Sequence, residues 1–147
     1  MTPLERAVVD TPLVQRLRRI RQLGPASVVY PSASHSRFEH SVGALNRAAT
    51  VMEALIASAK ERTETGLLVP KEDLEKWTDT VRLGALLHDV GHTFCSHAGE
   101  RCVTAHGVPG REYDVDAMVR QAAQDLECEK TIAFSELLSF AIVSSDA

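Results

Sequence analysis

Five of the six histidines of this chain lie in two short segments whose side chains could hold a divalent cation. The segments read HSRFEH at residues 35–40 and HDVGHTFCSH at residues 88–97. Imidazole nitrogens and carboxylate oxygens are donors that proteins offer to divalent transition-metal ions. The pattern therefore predicts a metal-dependent hydrolytic site.

The predicted metal ligands are His40, His88 and Asp89. His88 and Asp89 are consecutive at the end of an apolar helical segment, just before Gly91, so both side chains can turn toward one cation. His40 joins them if its own helix packs against that end. The alternative for an isolated His-Asp pair is a solvated or capping pair that holds no metal.

Three further residues are predicted to be catalytic: Arg37, His92 and His97. Arg37 stands three residues before His40 and shares its helix face, while His92 follows His88 by four residues. A divalent ion lowers the pKa of a bound water, a guanidinium holds phosphoryl oxygens, and an imidazole can protonate a leaving oxygen. Hydrolysis of a phosphoester or phosphoanhydride uses all three groups.

The elements around these residues are predicted to be helices, so the predicted fold class is all-α. Apolar residues recur at helical spacing from Leu13 to Leu23 and from Phe38 to Ile56. The β-branched stretch at residues 28–30 is instead expected to be extended or a small strand. The predicted helices cover about residues 12–23, 36–56, 70–88, 93–103, 114–126 and 131–144.

The composition is that of a single globular domain. The chain has 147 residues, 44% of them apolar and 24% charged, with a net charge of −4. That charge gives no reason to expect nucleic acid as a partner, and no apolar run reaches the roughly 18 residues of a membrane span. Three cysteines without a CxxC pattern predict a reducing, cytoplasmic location.

Three sequence blocks carry a family resemblance. They read DTPLVQRLRRIRQLG at residues 10–24, YPSASHSRFEHSVG at 30–43 and LLHDVGHTFCSH at 86–97. In order and spacing they resemble the HD-domain phosphohydrolases, specifically the deoxynucleoside triphosphate triphosphohydrolase branch of dGTPase-like and sterile-alpha-motif-and-HD-domain-like proteins. The resemblance implies one helical HD domain over residues 1–147, similar to the N-terminal portion of a larger family domain.

The resemblance also implies roles in metal binding and catalysis. His40, His88 and Asp89 match three of the four metal ligands of the family. Arg37 matches the arginine that contacts the substrate phosphates, and His92 matches the catalytic histidine. The implied cofactor is a divalent metal ion, with manganese, iron, magnesium, zinc and nickel all left open.

Further positions match the nucleotide sites of the family. Gln22 and Leu23 match residues that line the substrate pocket, so a dNTP is the implied substrate. In some relatives a regulatory nucleotide site forms between subunits, and the residues that match it are Asp10, Gln15 and Arg18. A homo-oligomer is implied by the same match.

The chain departs from the family pattern at the fourth metal ligand, an aspartate expected well downstream of the His-Asp pair. Asp146 is the only late candidate, and Ser135-Glu136 stands where relatives often have His-Glu. Two alternatives therefore stay open. One is a truncated, weakly active or inactive module that binds metal, nucleotide or a partner subunit, and the other is a phosphatase or phosphodiesterase for another phosphorylated metabolite. We expect the chain alone to hydrolyse dNTPs slowly or not at all.

Overall fold

The regular elements of the described residues are helices, which confirms the all-α class. The computed structural model describes residues 1–61, 69–107, 110, 114–125 and 132–145. A short 3₁₀ helix, Arg16–Arg19, follows the second α-helix. The α-helices are α1 (Pro3–Val9), α2 (Pro12–Gln15), α3 (Ala26–Val29), α4 (Arg37–Glu61), α5 (Lys71–Leu87), α6 (Ser96–His106), α7 (Val115–Asp125) and α8 (Phe134–Ser144).

The chain forms two compact units. The first consists of Met1–His40 together with His88–Ala147, and the second is Ser41–Leu87. Every residue for which a site role is predicted belongs to the first unit. A single domain over residues 1–147 stays a prediction.

The segment after Thr11 is not the single long helix that its apolar spacing predicts. α2 ends at Gln15 and continues as the 3₁₀ helix. The buried residues of this segment are Val14, Leu17 and Ile20. They recur every three residues, which is the repeat of a 3₁₀ helix, so this geometry buries a straight row of side chains.

The expectation of an extended stretch at residues 28–30 is wrong, because residues 26–29 form α3. Its valines are exposed and do not pack in a sheet. The strand preference of β-branched residues depends on such packing, so it does not decide the structure here. The start of α4 agrees with the prediction. The backbone N–H of Ser36 donates to Glu39 at 2.6 Å, and the backbone N–H of Glu39 donates to the Ser36 hydroxyl at 3.3 Å.

In the first unit, α6, α7 and α8 pack against one another. α8 also lies against the turn at residues 88–91. A Cβ at Gly91 would come within 2.2 Å of the Ser135 carbonyl oxygen and 2.4 Å of the Ser139 backbone nitrogen. Only glycine allows this approach. The hydroxyl of Ser139 accepts from the Gly91 N–H at 2.7 Å and donates to the His88 carbonyl at 2.8 Å.

The second unit contains the remainder of α4 and all of α5. Leu45, Met52 and Ala59 of α4 are buried. They are spaced by seven residues, or about two helical turns, and so share one face. Leu86 is the buried residue of α5. In the described ranges, no helix combines the length and apolar character needed to cross a bilayer.

Candidate metal centre

His40, His88 and Asp89 bring their donor atoms together in the first unit. One ligand atom from each lies within 4.8 Å of the others, and we call these residues the first cluster. Nε2 of His40 is 3.2 Å from Nε2 of His88, which is 3.4 Å from Oδ1 of Asp89. Two ligands that each lie about 2.0–2.2 Å from one ion are roughly 3.0–3.5 Å apart. The donor set therefore fits a transition-metal ion.

The first cluster combines open and buried donors. The side chains of His40 and His88 are each 43% exposed, whereas that of Asp89 is 7% exposed. His88 and Asp89 lie in the turn that follows α5, not within the helix as predicted. In the described part of the chain the cluster has three members. Asp146, the late candidate for a fourth ligand, lies outside the described residues.

Asp89 is held as a carboxylate by its neighbours. Its Oδ2 accepts a hydrogen bond of 2.6 Å from Nη1 of Arg37, and its Oδ1 is 3.2 Å from Nε2 of His92. Burial alone raises the pKa of Asp89. The hydrogen bond from His92 and the charges of His88 and Arg37 outweigh burial, so the pKa lies well below its usual range. The carboxylate stays ionised at neutral pH.

Arg37 is buried beside Asp89. The residue is only 1% exposed, and its Nη2 donates to the hydroxyl of Ser96. Its Nε has no hydrogen-bond partner among the described groups. In this arrangement the guanidinium is the counter-ion of Asp89.

Arg16 anchors the backbone of the turn that carries the ligands. Its Nη1 donates to the carbonyl of His92 at 2.8 Å, and its Nη2 donates to the carbonyl of Val90. Burial lowers the pKa of the guanidinium from its ordinary value. One side chain thereby fixes two of the backbone carbonyls that follow Asp89, those of Val90 and His92.

His92, His97 and Glu100 form a second cluster, whose ligand atoms also lie within 4.8 Å of one another. Nδ1 of His97 is 2.9 Å from Oε2 of Glu100, and Nδ1 of His92 is 3.2 Å from Oε1. The side chain of His97 is 61% exposed, but that of His92 is only 5% exposed. Of the two predicted catalytic histidines, His97 is therefore the one that solvent reaches.

Glu100 links the two histidines of the second cluster. The backbone N–H of Ser135 donates to its Oε1 at 3.1 Å. Burial raises the pKa of Glu100, whereas hydrogen bonding at Ser135 and His97 and the charges of His92 and His97 lower it, and the net result is a pKa below the ordinary value. Ser135, at a predicted departure from the family pattern, thus contributes a backbone donor to this cluster.

Gln22 and Leu23 match the family's nucleotide pocket, and the backbone carbonyl of Gln22 accepts a hydrogen bond of 3.5 Å from the Ser96 hydroxyl. Gln22 is half-buried, and its Oε1 is buried without a hydrogen-bond partner among the described groups. Leu23 is 51% exposed. The exposed side chain of Leu23 is a group that a nucleoside could cover, whereas the amide oxygen of Gln22 is not open to a ligand.

The residues that match the regulatory site form a small network of their own. Nε2 of Gln15 donates to the carbonyl of Val9 at 2.8 Å, and Nε of Arg18 donates to Oε1 of Gln15 at 2.7 Å. The Arg18 guanidinium also lies 3.6 Å from the ring centroid of Phe38. Asp10 ends α1 and is exposed. Arg18 is exposed, whereas Gln15 is half-buried.

Four residues that shape the site are absent from the prediction: Arg16, Ser96, Glu100 and Ser139. Glu100 could have been found, because it follows His97 by three residues and therefore shares a helix face with it. Arg16 could not, because nothing in RLRRIR distinguishes it from neighbouring arginines. Its acceptors are backbone carbonyls 74 and 76 residues away in the chain.

The chain is similar to several known proteins. The HD domain family matches residues 37–138. The deoxynucleoside triphosphate triphosphohydrolase SAMHD1 of Danio rerio is 41% identical over 95 residues, which are 65% of this chain and 14% of that protein. An uncharacterized protein of Methanocaldococcus jannaschii is 37% identical over 108 residues, which are 74% of this chain and 20% of that protein.

A similar solved structure is the crystal structure of a phosphohydrolase from Bacteroides thetaiotaomicron. It has a TM-score of 0.54 and 27% sequence identity, and the match covers 100% of this chain and 32% of that one. The chain thus spans a third or less of the length of each of these proteins.

Proposed function

The chain belongs to the HD domain family, and from that membership we propose that it forms the catalytic centre of a metal-dependent phosphohydrolase acting on nucleotides. The proposed reaction is cleavage of a dNTP to a deoxynucleoside and triphosphate. The observation that carries the proposal is the convergence of His40, His88 and Asp89 on one point, beside the buried guanidinium of Arg37.

The proposed metal ligands are the three residues of the first cluster. A divalent cation bound there supplies Lewis acidity toward water and phosphoryl oxygen. Asp89 suits this task because it stays ionised, and its anchored turn limits how far the carboxylate can move. His40 and His88 leave the open side of the cluster accessible to a substrate, since both are partly exposed.

His97 is the proposed proton donor to the leaving oxygen. A proton donor must reach the substrate, and His97 is far more exposed than His92. Glu100 orients the ring through Nδ1 of His97, which leaves Nε2 free to carry the transferred proton. His92 lies between Asp89 and Glu100, so its proposed role is to position both carboxylates.

Arg37 and Gln22 are the proposed contacts to the nucleotide. A guanidinium suits phosphoryl oxygens because its N–H groups can form paired hydrogen bonds. Arg37 is hydrogen-bonded to Asp89 and Ser96 and its unpartnered Nε is buried, so a phosphate contact requires the guanidinium to move toward the ligand. Gln22 is the second proposed contact because it matches the nucleotide pocket of the family, and its neighbour in the chain, Leu23, has an exposed apolar side chain.

A second candidate function is a module that binds metal or nucleotide without efficient turnover. The commitment of Arg37 to Asp89 favours it, since an arginine that neutralises a ligand is less available to a substrate. Binding of a dNTP without release of triphosphate would distinguish this module from an enzyme. Hydrolysis of other phosphate esters, but not of dNTPs, would point to another phosphorylated metabolite.

The test is a triphosphate-release assay on the full chain with each dNTP and manganese, alongside His97→Ala and His106→Ala. His106 is an exposed histidine at the end of the same helix, so its variant is the matched control. Loss of a general acid lowers the rate by roughly 10²–10⁴-fold, and we expect that loss for His97→Ala alone. Measurable release at equal rates in all three proteins would refute the assignment of His97, whereas binding of a dNTP with no release by the unsubstituted chain would favour the binding module.

The exposed residues near α2 support a proposal about assembly. We expect Arg18 to serve a nucleotide or a neighbouring copy of the chain, since its guanidinium is exposed and already held over Phe38. Sedimentation of Arg18→Glu with and without nucleotide tests this. Unchanged sedimentation and unchanged nucleotide binding would mean that Arg18 belongs to an ordinary solvated surface.

A further inference from the structure

The second cluster contains a buried nitrogen whose surroundings favour a cation. Nδ1 of His92 is buried and makes no hydrogen bond to the described groups. It nevertheless lies 3.2 Å from Oε1 of Glu100, at ion-pair distance. An unpaired buried polar atom is unfavourable, so the position calls for a partner.

The other ring nitrogen of His92 explains why a neutral ring does not satisfy both neighbours. Its Nε2 lies 3.2 Å from Oδ1 of Asp89, also at ion-pair distance. A neutral imidazole has a single N–H. With that N–H turned toward Asp89, the lone pair of Nδ1 points toward Glu100. A lone pair and a carboxylate that face each other are the arrangement that a metal ion bridges.

The third donor completes a recognisable ligand set. Nδ1 of His97 lies 2.9 Å from Oε2 of Glu100, and the two imidazole rings meet edge to face with centroids 4.8 Å apart. Separations near 3 Å match those of ligands that share one ion with bonds of about 2.0–2.2 Å. Two imidazoles and one carboxylate favour zinc, cobalt or nickel over magnesium, which prefers oxygen.

We propose that His92, His97 and Glu100 form a second site that binds a transition-metal ion such as Zn²⁺, and that its occupation inhibits hydrolysis. His97 gives this site an open side through which an ion enters, while His92 and Glu100 supply buried donors. The inhibitory part rests on the proposed role of His97. A metal ion on Nδ1 would take the place of the Glu100 contact that orients the His97 ring, so the ring would no longer be held in position to donate a proton to the leaving oxygen.

Cobalt provides a probe of binding that does not depend on activity. Co²⁺ bound by nitrogen and oxygen donors at low coordination number absorbs visible light more strongly than the hydrated ion. The full chain is titrated with Co²⁺ and compared with His97→Ala, His40→Ala and the double variant, with bound metal counted by elemental analysis after dialysis. Both substituted histidines are exposed, so the variants should fold. His106→Ala is the matched control.

We expect His97→Ala and His40→Ala each to lose one bound ion per chain, and the double variant to lose both. His106→Ala should bind as the unsubstituted chain does. The second site is refuted if the double variant binds as much Co²⁺ as His40→Ala. Metal binding by the first cluster is refuted separately if His40→Ala binds as much Co²⁺ as the unsubstituted chain while His97→Ala binds less.

Glu100→Gln tests the charge of the site without changing its size. The amide keeps an oxygen for the Ser135 N–H but loses the negative charge, so we expect the ion to be lost at Co²⁺ concentrations that saturate the unsubstituted chain. Unchanged cobalt absorption in this variant would overturn the role of Glu100 as a ligand. For inhibition, Zn²⁺ is added to a manganese-supported triphosphate-release assay. Full activity with the second ion bound would overturn inhibition.

Discussion

The two clusters differ in what neutralises the buried carboxylate. In the first cluster a guanidinium pairs with Asp89, and the two histidines are partly exposed. In the second cluster Glu100 is held by two imidazoles and one backbone N–H. A guanidinium is a permanent counter-ion, whereas an imidazole can also bind a metal ion. The first cluster is therefore built around a fixed charge, and the second around an exchangeable one.

The largest expected effect comes from removing the carboxylate that pairs with the fixed charge of Arg37. Asp89→Ala deletes a ligand and leaves Arg37 buried without its carboxylate, which costs about 3–5 kcal/mol for a broken buried ion pair. Urea unfolding of metal-free protein measures the loss, and elemental analysis should show that the first cluster no longer holds metal. Asp79→Ala, at an exposed position of α5, is the control.

The same experiment on the second cluster sharpens the contrast. Glu100→Ala leaves a buried imidazole and the Ser135 N–H without their carboxylate partner, but it leaves no guanidinium unpaired. We therefore expect a smaller loss of unfolding free energy, about 1–3 kcal/mol. Combining Asp89→Ala with Arg37→Met should recover part of the stability, because the unpaired charge is then gone. A larger loss for Glu100→Ala than for Asp89→Ala would contradict the comparison.

Arg16→Ala tests whether the clusters share one support. Its two acceptors lie on the turn between Asp89 and His92, so ligands of both clusters should be held less firmly, and metal affinity should fall, when the guanidinium is removed. Loss of a residue that positions ligands typically lowers metal affinity by about 10–100-fold, and isothermal titration with Mn²⁺ or Zn²⁺ measures this. Arg19→Ala, exposed in the same 3₁₀ turn, should leave affinity unchanged. An effect equal to that of Arg19→Ala would show that the turn holds without Arg16.

Gly91→Ala probes the contact of α8 with the ligand-bearing turn. The added methyl group meets backbone atoms of Ser135 and Ser139, and overpacking of this kind costs about 1–3 kcal/mol. Gly84→Ala in α5 is the matched control. Its Cβ meets no described atom within 4 Å, and a helical Gly→Ala change stabilises by about 0.5–1 kcal/mol. In thermal unfolding, Tm should fall for Gly91→Ala and rise for Gly84→Ala. Equal shifts of Tm would argue against close packing of α8 on the turn.

The smallest effect is expected at Cys95, in the link between the turn and α6. Its φ of 66° lies in the left-handed region, which costs an L-residue about 1–2 kcal/mol. Cys95→Gly should therefore stabilise the protein by about 0.5–1 kcal/mol after the entropy of glycine is subtracted. Cys102→Gly, at an exposed site inside α6, should destabilise by about 1 kcal/mol. A stabilisation by both variants, or by neither, would contradict the backbone argument.

Residue periodicity predicted the long helices well and the short elements poorly. The apolar face of α4 and the ends of α5, α7 and α8 lie close to where the sequence places them, because many residues support each of these helices. α3 and the 3₁₀ turn are four residues each. Over so short a stretch the local preference is weak, and packing of Val14, Leu17 and Ile20 decides the geometry.

The sequence by itself determined the candidate chemistry, because ligand type and helical spacing are local properties. The His-Asp pair, His40 three residues after Arg37, and His92 four residues after His88 can all be read from the chain. Only the tertiary structure decided that Arg37 pairs with Asp89, 52 residues away. It also decided that Ser139 holds the His88 carbonyl, 51 residues away, and that His92 is buried while His97 is open. Such contacts depend on how distant segments pack around a buried charge, and no local pattern encodes that.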